Sequence, residues 1–209
     1  GKTEGAGVFK KKERVSFLSA YVENFREVRL QVYKIVNKKL LNEAVVLVEV
    51  EAPFIAKKVL PGQFIIFRID EQGERVPLTV ADYDREKGTI TLIVQMVGRS
   101  TKMLGAMEAG EYLLDVVGPL GIPTHLDGLK NVCVIGGGVG CAIAYPQAKA
   151  LHAMGAHVDM IAGFRSKDIV IIEDEMRAVA DNLYVMTDDG TYGEKGLVTN
   201  KLQQLIDEG

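Results

Sequence analysis

Apolar side chains recur at helical spacing between residues 15 and 30, at Val15, Leu18, Val22, Phe25 and Val28, with Glu23, Asn24, Arg26, Glu27 and Arg29 on the other face. That spacing predicts an amphipathic helix, packed either on the body of the protein or on a partner subunit. Residues 1–14, GKTEGAGVFKKKER, are polar, basic and glycine-containing, and are expected to form a mobile arm. From Tyr33 the period shortens. Residues 45–50, 64–69, 89–94 and 112–117 are short runs rich in β-branched side chains, separated by turn signals at Pro61-Gly62, Gln72-Gly73 and Gly88. Only one short helix, at 101–107, fits among them, so a small antiparallel β-barrel is predicted. From Asn131 the pattern changes again. Strands at 132–135, 157–162 and 183–187 alternate with helices at 142–154, near 173–180 and at 196–207. Alternation of this kind predicts a parallel α/β sheet. The expected fold class is therefore β plus α/β: an N-terminal helix within 1–32, a β-barrel over 33–122 and a partial doubly wound parallel α/β domain over 130–209.

Composition narrows the function classes. Hydrophobic residues make up 47% of the 209 and charged residues 25%, values of a globular chain and not of a disordered one. A net charge of −3 supplies no basic field for nucleic acid. No apolar run approaches the ~20 residues of a membrane span. No secretory signal pattern opens the chain, and a cytoplasmic location is expected. Two cysteines are too few for a disulfide scaffold or a four-ligand metal site. Cys133 and Cys141 are expected to be reduced, buried packing residues. His125, His152 and His157 show no ligand spacing, so no metal is expected on this chain.

Gly136-Gly137-Gly138-Val139-Gly140 lies between a strand and a helix. Glycines there let backbone approach a pyrophosphate, and a helix start offers free N–H groups and a positive dipole. Cys141 stands where a third motif glycine would be, so the run reads either as a phosphate loop or as a tight structural turn. After the next strand, Arg165 and Lys167 stand where an acidic ribose-binding residue is expected for NAD. They either meet a 2′-phosphate or are solvated turn residues. In the barrel, Arg75 to Thr79 offers a guanidinium and a hydroxyl, and Gly98-Arg99-Ser100-Thr101 offers helix-start N–H groups and hydroxyls. Together these could hold a pyrophosphate and one ring edge, or be ordinary turn and cap chemistry.

Five motifs in order, Pro61-Gly62-Gln63-Phe64, Val76-Pro77-Leu78-Thr79, Val97-Gly98-Arg99-Ser100-Thr101, Gly118-Pro119-Leu120-Gly121 and Gly136 to Gly140, resemble the ferredoxin–NADP reductase superfamily. Within it, the chain is similar to the small flavin subunits of NADH-dependent ferredoxin:NADP oxidoreductases and to the electron-transfer subunits of dihydroorotate dehydrogenases. The resemblance covers roughly residues 33–209. It implies FAD in the barrel, with Thr79 near flavin N5 as the catalytic hydroxyl. It places Val76, Pro77 and Leu78 along the ring and ribityl chain, and Ile93, Val94 and Gln95 on the adenosine side. Gly98, Ser100 and Thr101 would meet the pyrophosphate. Many relatives carry an arginine where Val76 stands. Arg75 lies one residue earlier, and Leu78 replaces a tyrosine that often stacks on the flavin. NAD(P)H would dock at Gly136, Gly137, Gly138, Val139 and Gly140, with Arg165 nearby.

Relatives also continue with a segment that shapes the nicotinamide pocket and then with cysteines that bind a [2Fe-2S] centre. Neither is in this sequence, which reads as a fragment or as a chain lacking its end. The implied function is a flavoprotein electron-transfer subunit. It would pass hydride from NAD(P)H to FAD, then single electrons to an iron–sulfur centre or ferredoxin. Its expected partner is a larger oxidoreductase subunit or ferredoxin. A stand-alone flavin reductase or diaphorase, and a non-enzymatic flavin-binding module, are the alternatives.

Overall fold

The structure, a computed structural model, describes residues 33–208. The arm and helix predicted within 1–32 lie outside the described residues. Seven strands come first: β1 (Ile35–Asn42), β2 (Val45–Glu51), β3 (Phe64–Arg68), β4 (Val76–Thr79), β5 (Asp82–Asp84), β6 (Thr89–Gln95) and β7 (Asp115–Leu120). They form two antiparallel sheets of order β1-β2-β6-β5 and β4-β3-β7. Two short helices, α1 (Pro53–Ala56) and α2 (Arg99–Ala106), lie among them.

Strand periodicity explains how this half is built. On β2 and β6 alternate residues Val46, Val48, Val50 and Ile90, Leu92, Val94 point into one core with Ile65, Phe67 and Leu104. Val45 and Ile93 belong instead to a second core on the other side of the sheet. The second core is shared with the C-terminal half, so β2 and β6 carry apolar residues on both faces at Val45, Leu47 and Ile93, and the two halves dock through them.

The C-terminal half alternates β8 (Asn131–Gly137), α3 (Cys141–Ala153), β9 (His157–Phe164), α4 (Glu173–Arg177), β10 (Asn182–Thr187), β11 (Glu194–Lys195) and α5 (Val198–Glu208). All four strands are parallel, in the order β11-β10-β9-β8. The antiparallel sheets followed by a parallel α/β sheet are the predicted fold class. Among the described residues no helix is long and apolar enough to cross a membrane, and no group of three or more His, Cys, Asp or Glu could hold a metal.

One expectation is corrected. Cys141 is buried, but Cys133 is exposed. On β8, Asn131, Cys133 and Ile135 alternate outward onto a face that no described residue covers. The apolar run of this strand therefore does not bury both of its faces.

Candidate functional site

The glycine run ends β8 and forms a 3-10 turn, Gly138–Gly140, before α3 begins. Its glycines have separate tasks. A Cβ on Gly136 would lie 2.8 Å from Cys141 Cα and 3.0 Å from Cys141 N, so this residue lets strand and helix start pack together. Gly138 has φ of +52°, a conformation that side chains disfavour. A Cβ on Gly137, Gly138 or Gly140 would meet nothing within 4 Å. The space beside the loop is open, and no side chain caps α3. Packing alone accounts for Gly136. It does not account for Gly137 or Gly140.

That space belongs to a cleft of about 640 Å³ at the carboxyl ends of the parallel strands. Gly137, Gly138 and Val139 form one wall, Arg165 and Asp188 line it from the turns after β9 and β10, and residues 196–199 close the far side. Gln95, the last residue of β6, faces it from the antiparallel half. In open α/β sheets, ligands bind at this end of the strands. Cys141 lies beneath the loop with its thiol pushed up to about 12 by burial, so it stays neutral and inert.

A second cluster adjoins the first. Three residues after Gln95 the chain reaches Gly98 and the start of α2, a span of at most about 10 Å. Lys102 N–H is the first to bond back into the helix, to the Gly98 carbonyl at 3.0 Å. The N–H groups of Arg99, Ser100 and Thr101 have no intrahelical acceptor and carry the positive end of the helix dipole. Both hydroxyls are already engaged. Ser100, buried, donates to Glu74 Oε2 at 2.9 Å. Thr101 Oγ1 accepts the Gly98 N–H at 3.0 Å and donates to the Gly98 carbonyl at 3.1 Å. An anion here would be held by backbone amides and not by these side chains. On β4, at the edge of its sheet, Thr79 pairs with Phe64 and Val76 with Phe67. The Thr79 hydroxyl makes no side-chain hydrogen bond among the described residues. Arg75 is largely exposed, its guanidinium 3.9 Å from the Asp115 carboxylate.

No protein-family model matches the chain. It is 49% identical over 181 residues to an uncharacterized protein of the adh 3′ region of Clostridium beijerinckii, covering 83% of this chain and 61% of that protein. It is 43% identical over 175 residues to the dihydroorotate dehydrogenase B (NAD(+)) electron transfer subunit homolog of Thermotoga maritima, covering 84% and 62%. It superposes with a TM-score of 0.80 on a chain of the NADH-dependent reduced ferredoxin-NADP oxidoreductase involved in flavin-based electron bifurcation. Identity there is 41%, with 85% of this chain and 64% of that one covered. In sequence and fold the described region is similar to the ferredoxin–NADP reductase superfamily. The chain spans about three fifths of the length of the curated relatives it matches.

On this reductase fold the sequence-predicted residues separate into three groups. Gly137, Gly138, Val139, Arg165 and Gln95 come together around one cleft. Arg75 to Thr79 and Gly98 to Thr101 stay with the antiparallel sheets. Ile93 and Val94 are 9% and 1% exposed and fill the two cores, so only their backbone is available to a ligand. Lys167 is not in the cleft. It lines a neighbouring one and its ammonium lies 5.3 Å from the Tyr192 ring centroid. Sequence reasoning missed Asp188 and residues 196–199. The available signal was the turn Asp188-Asp189-Gly190 directly after a predicted parallel strand, where open α/β sheets put ligand-facing loops.

Proposed function

We propose that this region is the flavin and pyridine-nucleotide module of an electron-transfer subunit. The glycine cradle opening into a cleft that also faces Gln95 of the antiparallel half carries this reading. Homology to a named electron transfer subunit, with 43% identity, supports it. The residues present fit both groups. Open space beside Gly137, Gly138 and Gly140 suits a pyridine-nucleotide pyrophosphate, and the first N–H groups of α2, Arg99 to Thr101, suit that of FAD. Bound FAD would supply the conversion of a two-electron hydride donor into one-electron transfers.

The chain's own residues bind and orient. Backbone N–H groups of Arg99, Ser100 and Thr101 hold phosphate oxygens, and Glu74 fixes the helix start by taking the Ser100 hydroxyl. Val76, Pro77 and Leu78 would line the flavin ring and ribityl chain, and the hydroxyl of Thr79 would orient N5. Gly137 and Gly138 would admit the nucleotide pyrophosphate, and Arg165 and Asp188, which line the same cleft, would be available to its ribose end. The domains proposed are an FAD-binding barrel over 33–122 and an NAD(P)-binding domain over 130–209. The proposed partner is a larger oxidoreductase subunit or ferredoxin that takes single electrons through an iron–sulfur centre.

Equilibrium binding tests the reading. FAD is expected to stay with the protein through gel filtration and FMN to be lost, with NADH or NADPH binding the FAD-loaded protein at one site. Retention of FMN alone, or no binding of either nucleotide, overturns it.

A further inference from the structure

Thr79 and the glycine loop sit on different halves of the molecule, and something must fix their separation. Most of the seam between the halves is apolar, with Val45, Ala81 and Ile93 packed in one core with Tyr145 and α3. The hydrophobic effect that drives this packing is non-directional. Among the described residues two polar contacts cross the seam: Asn42 Nδ2 donates to the Ile169 carbonyl at 3.5 Å, and a larger constellation joins α3 to β5. Lys149 Nζ on α3 donates to both carboxylate oxygens of Asp82 on β5, at 2.7 Å each. The Tyr145 hydroxyl donates to Asp82 Oδ2 at 3.4 Å, and the Lys149 ammonium lies 5.9 Å from the Tyr145 ring centroid. Asp82 is itself fixed, because its Oδ1 accepts the Tyr83 N–H at 2.8 Å and β5 is paired to β6.

The connections on either side give this cluster its meaning. Asp82 is three residues beyond Thr79 on a nearly continuous extended segment. Tyr145 and Lys149 are five and nine residues beyond Gly140 on the helix that the glycine loop opens. Pro146 stands between them and leaves the Ala142 carbonyl without its helical partner, so the two contacts lie on either side of the proline. The Lys149 and Asp82 side chains are 45% and 28% exposed, and an ion pair that exposed contributes little to stability. The ammonium is a compact charge with no fixed direction, but with the Tyr145 hydroxyl it brings three contacts from α3 onto one carboxylate and so ties this helix to β5 at short range. Lys149 lies about 14 Å along the helix from the loop, so a tilt of about 4° there displaces the loop by about 1 Å. Hydride transfer falls by about a hundredfold for a misplacement of that size.

We infer that Asp82, Tyr145 and Lys149 form an inter-domain clasp that positions the nucleotide loop against the Thr79 side of the flavin site. The inference rests on the hydride-transfer function proposed above. Asp82 and Lys149 are positioning residues and touch neither cofactor.

Two measurements on the full chain loaded with FAD test it. In anaerobic stopped flow with saturating NADH or NADPH, Lys149→Met is expected to slow flavin reduction at least tenfold. Nucleotide affinity should change less than threefold and FAD content not at all. Lys149→Arg, and the reversed pair Asp82→Lys with Lys149→Asp, should recover most of the rate. Independently, spin labels at Lys58→Cys and Gln203→Cys in a Cys133→Ser background should give one narrow distance distribution. Lys149→Met should broaden or shift it. An unchanged distribution in Lys149→Met overturns the clasp whatever the activity. An altered distribution with an unchanged reduction rate overturns its positioning role. If the unsubstituted protein is reduced by neither nucleotide, the proposed function fails, and the distance measurement alone decides whether the clasp sets the domains.

Discussion

Gly137→Ala isolates the nucleotide cradle from the fold. Gly137 has φ −131° and ψ 128°, extended backbone that alanine adopts freely, and its added Cβ would meet nothing within 4 Å. The folded state gains neither strain nor overlap, and the unfolded chain loses freedom, so stability should hold or rise by about 0.4–1 kcal/mol. The methyl group projects into the cleft where a pyrophosphate must approach the backbone. Pushing a phosphate off its N–H donors removes a charge-assisted hydrogen bond worth about 1.5–3 kcal/mol. That converts to a Kd weaker by about 10- to 150-fold. The assay is calorimetric titration of NADH and NADPH into the FAD-loaded variant, beside a urea unfolding curve. Gly136→Ala is the control. Its Cβ would lie 2.8 Å from backbone at Cys141, so it should cost about 1–3 kcal/mol of stability. A Gly137→Ala protein that binds nucleotide as tightly as its parent would refute the assignment of this loop.

Other expectations follow from single contacts. Thr79→Val should retain FAD yet slow anaerobic reduction by nucleotide about tenfold in stopped flow, because the hydroxyl orients N5 and does not anchor it. Equal loss of FAD affinity and rate would contradict that role. Ser100→Ala removes the hydrogen bond to Glu74 and should lower stability by about 1 kcal/mol in urea unfolding while leaving FAD bound, since phosphate is assigned to amides. Cys133 should react with a thiol reagent at pH 8 in the folded protein and Cys141 only on unfolding, as read from one against two labels by mass spectrometry. Burial holds the Cys141 thiol at about 12 in the folded state against 9.0 for an ordinary thiol. Between these values the unfolded chain ionises and the folded one does not. Stability contributed by the neutral thiol is therefore complete below pH 9 and declines above it, by about 1.4 kcal/mol per pH unit. Cys141→Ala should flatten that decline in unfolding curves at pH 8, 9 and 10.

Periodicity made the antiparallel and parallel halves legible, because β2, β6 and β9 carry enough buried β-branched residues to mark them as strands. β1 was not read as a strand. Its sequence, IVNKKLLN, is half exposed at a sheet edge and breaks register twice, so no clean alternation survives. β5 and β11 are three and two residues long, below the length at which a period exists. The glycine run was legible as a candidate because it sits between a strand and a helix. The different tasks of Gly136 and Gly137 were not, since they depend on where Cys141 packs. Cys133 was misjudged for a related reason. An apolar run describes a strand able to be buried on two faces, and only the tertiary arrangement tells whether both are covered. Ser100 and Thr101 looked like ligand hydroxyls in sequence, whereas in three dimensions both are consumed by local bonds that fix the start of α2. Tyr145 and Lys149 gave no signal, because their meaning lies in Asp82, more than sixty residues earlier.

The central claim is that electrons enter this region from a pyridine nucleotide and reach a flavin bound by its antiparallel half. Anaerobic addition of NADH, and separately NADPH, to the FAD-loaded full chain tests it most directly through the visible absorbance of the flavin. The account predicts that at least one nucleotide bleaches the flavin fully at one equivalent, with saturation at increasing nucleotide. A flavin that stays oxidised with both donors, while dithionite still reduces it, would contradict the account.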